Sequence, residues 1–256
     1  MQTKAIIIKK ENTNEYDQWV TCYTEKFGKL KTIAKSILKP SSIQALHLDI
    51  FNLAEFELIN GRGIPIITGA QVIDSFGRIK NSLAKMTAAY FFAEAVDKMV
   101  FESDKDDDLW FFLVSFLGEL NKNEINPIEL LQQGQIQLLG ILGYFPETNF
   151  CKACNDKLDE DSSGAFNYDL GGIICKRCFL TGYGGILISR EDFRMLTVRN
   201  VGNAGNGQFK QLKQFEQAKR SNKRSDPTFR RSVLDGMFEY ISGSKFSSLE
   251  LLNMVR

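Results

Sequence analysis

A chain of 256 residues with 43% apolar and 25% charged side chains has the composition of an ordinary folded core, arranged as one large or two smaller domains. Its net charge of +1 provides no whole-molecule field, so attraction to an anionic partner has to come from local patches. The longest apolar stretch, from Leu109 to Leu117, is broken by Ser115 and is too short to span a bilayer. Ala5-Ile6-Ile7-Ile8 is too short for the core of a secretory signal, and a cytoplasmic location is expected.

Residues 4 to about 75 alternate with the period of strands. Strands are predicted over 4–9, 18–24, 29–36, 47–59 and 64–73. Gly28 and the Asn60-Gly61-Arg62-Gly63 run supply hairpin turns. Five strands joined by tight turns suggest a small closed barrel of the OB type, and an SH3-like barrel fits the same count. From Asn81 the period changes to 3.6. Leu83, Met86, Tyr90, Ala93 and Val96 share one predicted helix face, and 109–120 forms a second, strongly apolar helix. Asn126-Pro127 opens a helix to about Leu142, and Ser189 to Asp192 forms a capping box for a helix through Arg199. The glycines between Gly202 and Gly207 read as a linker, and further helices are predicted over 208–219, 227–241 and 247–255. The expected fold is α+β and multidomain. It comprises an OB-fold β-barrel (1–78), an α-helical domain (79–147 and 185–256) and an inserted four-cysteine zinc knuckle (148–184).

Four cysteines carry the strongest motif. Cys151-Lys152-Ala153-Cys154 and Cys175-Lys176-Arg177-Cys178 are separated by twenty residues, within the spacing of structural zinc sites. A two-residue gap lets a tight turn aim both thiolates at one ion, and four such ligands complete a tetrahedron at about 2.3 Å. Lys152, Lys176 and Arg177 offset the charge of a tetrathiolate site. Four cysteine ligands leave no open position for a catalytic water, so one structural Zn2+ is expected. Disulfides or free thiols are the competing reading, and without a secretory signal disulfides are disfavoured.

Catalytic groups are scarce. The one histidine, His47, falls in a predicted strand beside Asp49 and reads as structural, and Cys22 reads as a small buried hydrophobe. No phosphate-binding P-loop occurs. Asp104, Asp106, Asp107 and Asp108 precede a helix, where carboxylates favour the positive end of the dipole, and read as a helix start rather than a metal site. No enzymatic activity is expected.

Charge is concentrated locally. Residues 1–40 hold eight lysines against four acids. Lys29, Lys31 and Lys35 share one strand face by period-two alternation, with Leu30, Thr32 and Ala34 opposite. Lys39 follows, Arg62 sits at a hairpin tip, and Trp19, Tyr23 and Phe27 are near in sequence. Cations for phosphates beside rings for bases are what single-strand binding on an OB barrel uses. A solvated lysine face with its rings in the core is the competing reading. A second basic run, Lys210, Lys213, Lys219, Arg220, Lys223, Arg224, Arg230 and Arg231 against Glu216 and Asp226, suits a polyanion, whether nucleic acid or an acidic protein tail.

These features follow the order of a known family. Ala5-Ile6-Ile7-Ile8-Lys9, Tyr16-Asp17, Val20-Thr21, Tyr23-Thr24-Glu25, Phe27-Gly28-Lys29-Leu30 and Ala34-Lys35 are joined by Phe51 to Leu58 and Gly61-Arg62-Gly63. Leu139 to Pro146 leads into the first knuckle, Gly171-Gly172-Ile173-Ile174-Cys175 into the second, and Lys245 to Leu252 closes the chain. In these stretches the chain resembles the bacterial RecO family of recombination mediators. The resemblance implies an ATP-independent protein of recombinational repair, cytoplasmic and nucleoid-associated, that binds single- and double-stranded DNA. It also implies annealing of complementary strands, including strands coated by single-stranded DNA-binding protein, whose acidic tail is an expected partner. With RecR such a protein helps to load RecA. The DNA-binding assignment carries over to Lys9, Lys29, Lys31, Lys35, Lys39 and Arg62. Two rivals are a zinc-ribbon nuclease, which lacks visible carboxylate pairs or an open metal site, and a non-catalytic module whose basic tail binds acidic protein segments.

Overall fold

The computed structural model describes residues 1–61, 63–159, 161–197 and 233–255. Among them no helix is long and apolar enough to cross a membrane. The predicted linker at 202–207 and helix at 208–219 lie outside the described residues.

Five strands build the amino-terminal barrel: β1 (Gln2–Asn12), β2 (Gln18–Thr24), β3 (Gly28–Ala34), β4 (Leu53–Ile59) and β5 (Ile66–Asp74). Their order around the closed sheet is β1-β2-β3-β5-β4. All neighbours run antiparallel except β3 and β5, which close the barrel in parallel through Ile33 opposite Ile66 and Ala34 opposite Ile67. That order and closure are those of the OB fold, and the SH3-like alternative falls away. Alternate side chains fill the interior: Ala5 and Ile7, Val20 and Cys22, Ala34, then Ala54, Phe56 and Leu58, with Ile67. Cys22 is buried, and burial pushes its thiol up to about 12, as suits a small apolar filler. Ile6 and Ile8 point outward yet are buried as well, which explains the unbroken apolar run Ala5-Ile6-Ile7-Ile8.

The β2–β3 hairpin turns at Gly28, whose φ is +66°. A Cβ there would stand 2.1 Å from the Asp104 carbonyl oxygen, so the close approach of residues 104–105 as well as the turn requires glycine.

The strand predicted over 47–59 begins later, at Leu53. Ile43–Leu46 is a 3-10 turn and His47 lies in the turn after it. The Asn52 side-chain amide donates to the Leu46 and His47 carbonyls, each at 3.1 Å. Buried Phe51 takes a φ of 64°. Together these hold the chain in a turn where its composition alone favours extension. His47 Nδ1 accepts the Val72 N–H at 3.3 Å, a structural role.

Helices follow: α1 (Gly77–Lys80), α2 (Leu83–Met99), α3 (Asp107–Leu120) and α4 (Pro127–Ile141). Asp106 caps α3 by accepting the Asp108 and Leu109 N–H groups at 2.8 and 3.1 Å, so the acidic run opens a helix. Asn126 accepts the Ile128 N–H at 3.1 Å ahead of Pro127. The buried face of α2 differs from the predicted stripe. Leu83 is 63% exposed, while Thr87, Ala88, Ala89, Phe91, Phe92 and Ala95 are buried with Ala93 and Val96. The ring of Phe92 lies 4.3 Å from that of Phe116 and 5.3 Å from that of Phe112.

The barrel and α1–α3 form one compact unit, Met1–Leu131, together with the terminal helix from Phe246. Residues Gln132–Lys245 form a second. The second unit holds a small sheet of β6 (Ser163–Asn167), β7 (Gly172–Cys175) and β8 (Ile186–Leu187), in the order β7-β6-β8. It also holds the short helical turn α5 (Lys176–Cys178), then α6 (Arg190–Thr197) and α7 (Val233–Ser242). Ser189 caps α6 reciprocally with Asp192, at 2.7–3.0 Å. Gly236 of α7 admits the Tyr168 hydroxyl, which would lie 2.0 Å from a Cβ at that position. A buried bond of 2.8 Å joins Gln135 to Asp235.

The terminal helix, α8 (Ser247–Val255), is capped by a residue of α2. Glu94 accepts the Ser247 and Ser248 N–H groups, both at 3.0 Å, and the Ser248 hydroxyl at 2.7 Å, and pairs with Lys98 at 2.8 Å. Burial pushes the Glu94 carboxyl up, but Lys98 and the serine donors outweigh it and hold it below the usual carboxylate range. A carboxylate held low stabilises the fold above its unfolded pKa, and that contribution is lost as pH falls through the folded value. Glu94→Gln is expected to lower the denaturation midpoint at neutral pH and to close the gap to wild type as pH falls below the usual carboxylate range. Equal midpoints at neutral pH would contradict this role.

Candidate nucleic-acid interface and metal centre

The lysines of the first forty residues divide into two groups. On the outer face of the β2–β3 hairpin, Trp19 lies opposite Ile33, Thr21 opposite Lys31, and Tyr23 opposite Lys29. The Tyr23–Lys29 end of that face is covered. Residues 101–104 run alongside the start of β3, with the Ser103 N–H donating to the Lys29 carbonyl at 2.8 Å. Tyr23 is buried, its hydroxyl accepting the Asp106 N–H at 2.9 Å, and burial pushes its phenol up to about 12. Lys29 is 8% exposed, and its ammonium donates to the Asp97 carbonyl at 2.8 Å. Burial pulls its pKa down more than Asp97 and Glu102 raise it. Lys9 belongs to this end too, its Nζ lying 3.3 Å from Asp97 and 3.4 Å from Glu11. Burial lowers the Lys9 pKa, but those two carboxylates outweigh it and raise it.

The other end is open. Lys31 is exposed, and its Nζ stands 5.1 Å from the centre of the Trp19 ring. Beyond β3, Lys35 and Lys39 are exposed in a turn, and the Lys39 Nζ stands 5.3 Å from the centre of the Tyr16 ring. Tyr16 is 42% exposed. Two ammonium groups over two aromatic rings therefore share this edge, each pair being worth about 0.5–1 kcal/mol when solvated. Tyr23 and Phe27, the rings nearest in sequence to the lysines, give way here to Tyr16, which sits in the β1–β2 connection and has no strand periodicity to mark it. Arg62 and the basic tract Lys210, Lys213, Lys219, Arg220, Lys223 and Arg224 lie outside the described residues.

In the second unit the four predicted cysteines converge. Their Sγ atoms all lie within 4.8 Å of one another, and Cys154 and Cys175 are 3.8 Å apart. Four sulfurs about 2.3 Å from one ion would stand roughly 3.8 Å apart, so the cluster has the size of a tetrahedral site. None of the four is joined in a disulfide. Backbone geometry supports them: the Cys175 N–H donates to the Cys151 Sγ at 3.3 Å and the Cys178 N–H to the Cys175 Sγ at 3.4 Å. Arg177 donates to the Cys154 Sγ at 3.7 Å and pairs with Asp156. Burial raises the Cys151 thiol, but N–H donors from Cys175, Cys154 and Ala153 outweigh it and bring it to about 6. Cys178 is pushed up to about 12 by burial and by the neighbouring sulfurs. A thiolate is favoured at Cys151 while Cys154 and Cys178 resist joining it, a charge conflict that a soft-ligand divalent cation at the centre would resolve.

Comparison with known proteins bears on the family of the chain. The family pattern described as "Recombination protein O N terminal" matches residues 1–76, and "Recombination protein O C terminal" matches residues 80–215. A protein of Dehalococcoides mccartyi named DNA repair protein RecO is 34% identical over 183 residues, 72% of each chain. A protein of the same name from Acetivibrio thermocellus is 27% identical over 189 residues, 74% of each chain. Another from Roseiflexus sp. is 32% identical over 195 residues, 76% of this chain and 68% of that one. By the match of both halves, this chain belongs to the RecO family.

Proposed function

We propose that this chain is an ATP-independent DNA-binding protein of recombinational repair that anneals complementary single strands, including strands coated by single-stranded DNA-binding protein, and with RecR assists RecA loading. The observation that carries the DNA-binding part is the open barrel edge where Lys31 and Lys39 stand over Trp19 and Tyr16. Membership of a DNA repair family supports the wider role. A strand laid along this edge places phosphates near Lys31, Lys35 and Lys39, while bases displace the ammonium groups from the ring faces. Neutralised phosphates lower the repulsion between two strands, and bases held apart from their own neighbours are free to pair. Duplex DNA uses the same cations through its backbone. Lys9 and Lys29, already engaged by Asp97, contribute to the local field without touching the strand.

The four cysteines bind one zinc ion in this reading. When bound, it crosslinks the two knuckles and does no chemistry on DNA. Cys151, Cys154, Cys175 and Cys178 supply the ligands, and the Arg177 hydrogen bond to Cys154 tempers the negative charge.

Stacking on Trp19 gives the most specific test. Base-on-ring stacking contributes about 1–3 kcal/mol per base, so Trp19→Ala should weaken binding of a labelled oligonucleotide by roughly five- to a hundred-fold in anisotropy titrations. Unchanged affinity would remove the ring from the site.

A further inference from the structure

The turn that bears Lys35 and Lys39 is built against its own preference. It sends Ile37, 4% exposed, into the barrel core and leaves both lysines outside. Between them Ser36 holds a φ of 56°, a left-handed conformation unfavourable for serine. The β1–β2 connection keeps it there. Asp17 Oδ1 accepts the Ser36 N–H at 2.6 Å, and its Oδ2 accepts the Asn14 side-chain amide at 3.0 Å. Asn14 Oδ1 in turn accepts the Tyr16 and Asp17 N–H groups at 2.9 and 2.8 Å. The Tyr16 carbonyl accepts the Leu38 N–H at 3.0 Å. A carboxylate accepting a backbone N–H at this length is a strong, charge-assisted bond. Asp17 is nonetheless an acid on a basic face, with Lys35 and Lys39 near enough for their charges to act on it. Charge alone would make it an obstacle to a polyanion.

We infer that Asp17 is a positioning residue of the single-strand site: its carboxylate clamps the Ser36 amide and so holds Lys35, Lys39 and the Tyr16 ring in fixed places beside the Trp19–Lys31 pair. The inference rests on the single-strand reading of this edge given above. Its content is that the acid strengthens DNA binding despite its sign, because lysines on a loose turn lose their register with the phosphates.

The sign of the effect separates the two views. Asp17→Ala removes one negative charge, which by electrostatics alone tightens binding. The clamp predicts that it weakens binding of a short oligonucleotide on the order of tenfold, and lowers the slope of log affinity against log salt by about 0.7 for each lysine that no longer meets its phosphate. Asp17→Asn also removes the charge but keeps an oxygen for the Ser36 N–H while giving up the Asn14 bond to Oδ2, so it should bind more tightly than the alanine variant. Amide exchange at Ser36 and Leu38 should speed up in the alanine variant and stay slow in the asparagine variant. An alanine variant that binds as tightly as wild type, or whose Ser36 amide stays protected, overturns the clamp. A wild-type protein that does not bind the oligonucleotide overturns the single-strand reading itself, and the two failures are thereby distinct.

Discussion

Cys178→Ser is expected to release the metal and melt the lobe of residues 148–184. The lobe has little else to hold it. Its own strands have five and four residues, a two-residue strand just beyond it, Ile186–Leu187, completes the sheet, and sheets that small are marginal without further support. Among the described residues its large buried apolar side chains are few: Leu158, Phe166, Ile173 and Ile174. In small structural sites the binding free energy of zinc is folding free energy, about 10–16 kcal/mol in isolated zinc-finger peptides. Removing one of four thiolates should therefore eliminate stoichiometric metal, lower the melting temperature and expose 148–184 to protease. Chelation of the wild-type protein should reproduce the effect. Solubility is expected to fall before DNA binding does, since the barrel belongs to the other compact unit. A soluble Cys178→Ser protein with wild-type melting behaviour would count against a structural metal.

The double reversal Lys31→Glu and Lys35→Glu should have the largest effect on strand binding. Both side chains are exposed, so the fold itself should tolerate the change. Each phosphate neutralised on a single strand contributes about 0.7 to the salt slope. With two phosphates no longer neutralised, that slope should flatten by about 1.4 and affinity should weaken by roughly ten- to a hundred-fold at physiological salt, with like-charge repulsion adding to the effect. Reversal of Lys29 is a contrasting case: it should destabilise the protein, because it puts a carboxylate at a covered position where the ammonium donated to the Asp97 carbonyl. A salt slope unchanged by the Lys31 and Lys35 reversals would contradict the assignment of this edge to DNA.

How much of the molecule is legible in its sequence depends on how local each signal is. The CxxC pairs are readable because the knuckle turn and its ligands are neighbours in sequence. The starts of α3, α4 and α6 are readable because Asp106, Asn126 and Ser189 satisfy the first N–H groups of their own helices. The alternation of Leu30, Thr32 and Ala34 against the lysines marks the inside of β3, since a strand side chain has only two directions to take. Which stretch of the outer face stays open is not readable. Tyr23 and Lys29 are covered by residues 97–106, some seventy positions away, and no pattern within β2 or β3 carries that information. The late start of β4 escapes for a related reason: Asn52 turns the chain through side-chain bonds to Leu46 and His47, a contest between side chain and ladder that composition does not decide. Tyr16 and Asp17 escape because a connection between strands has no period, and their roles come from a turn twenty residues later. Leu83 falls in a predicted stripe that assumes a one-sided helix, whereas α2 is buried over most of its circumference.

The most direct measurement of the proposed role is annealing of two complementary strands coated with the cognate single-stranded DNA-binding protein, followed without nucleotide by fluorescence quenching between end labels. Fast annealing by the zinc-loaded wild-type chain, slowed by salt and by the Lys31 and Lys35 reversals, is the predicted result. Annealing at the rate of the coated strands alone, by a folded and metal-loaded protein, would contradict it.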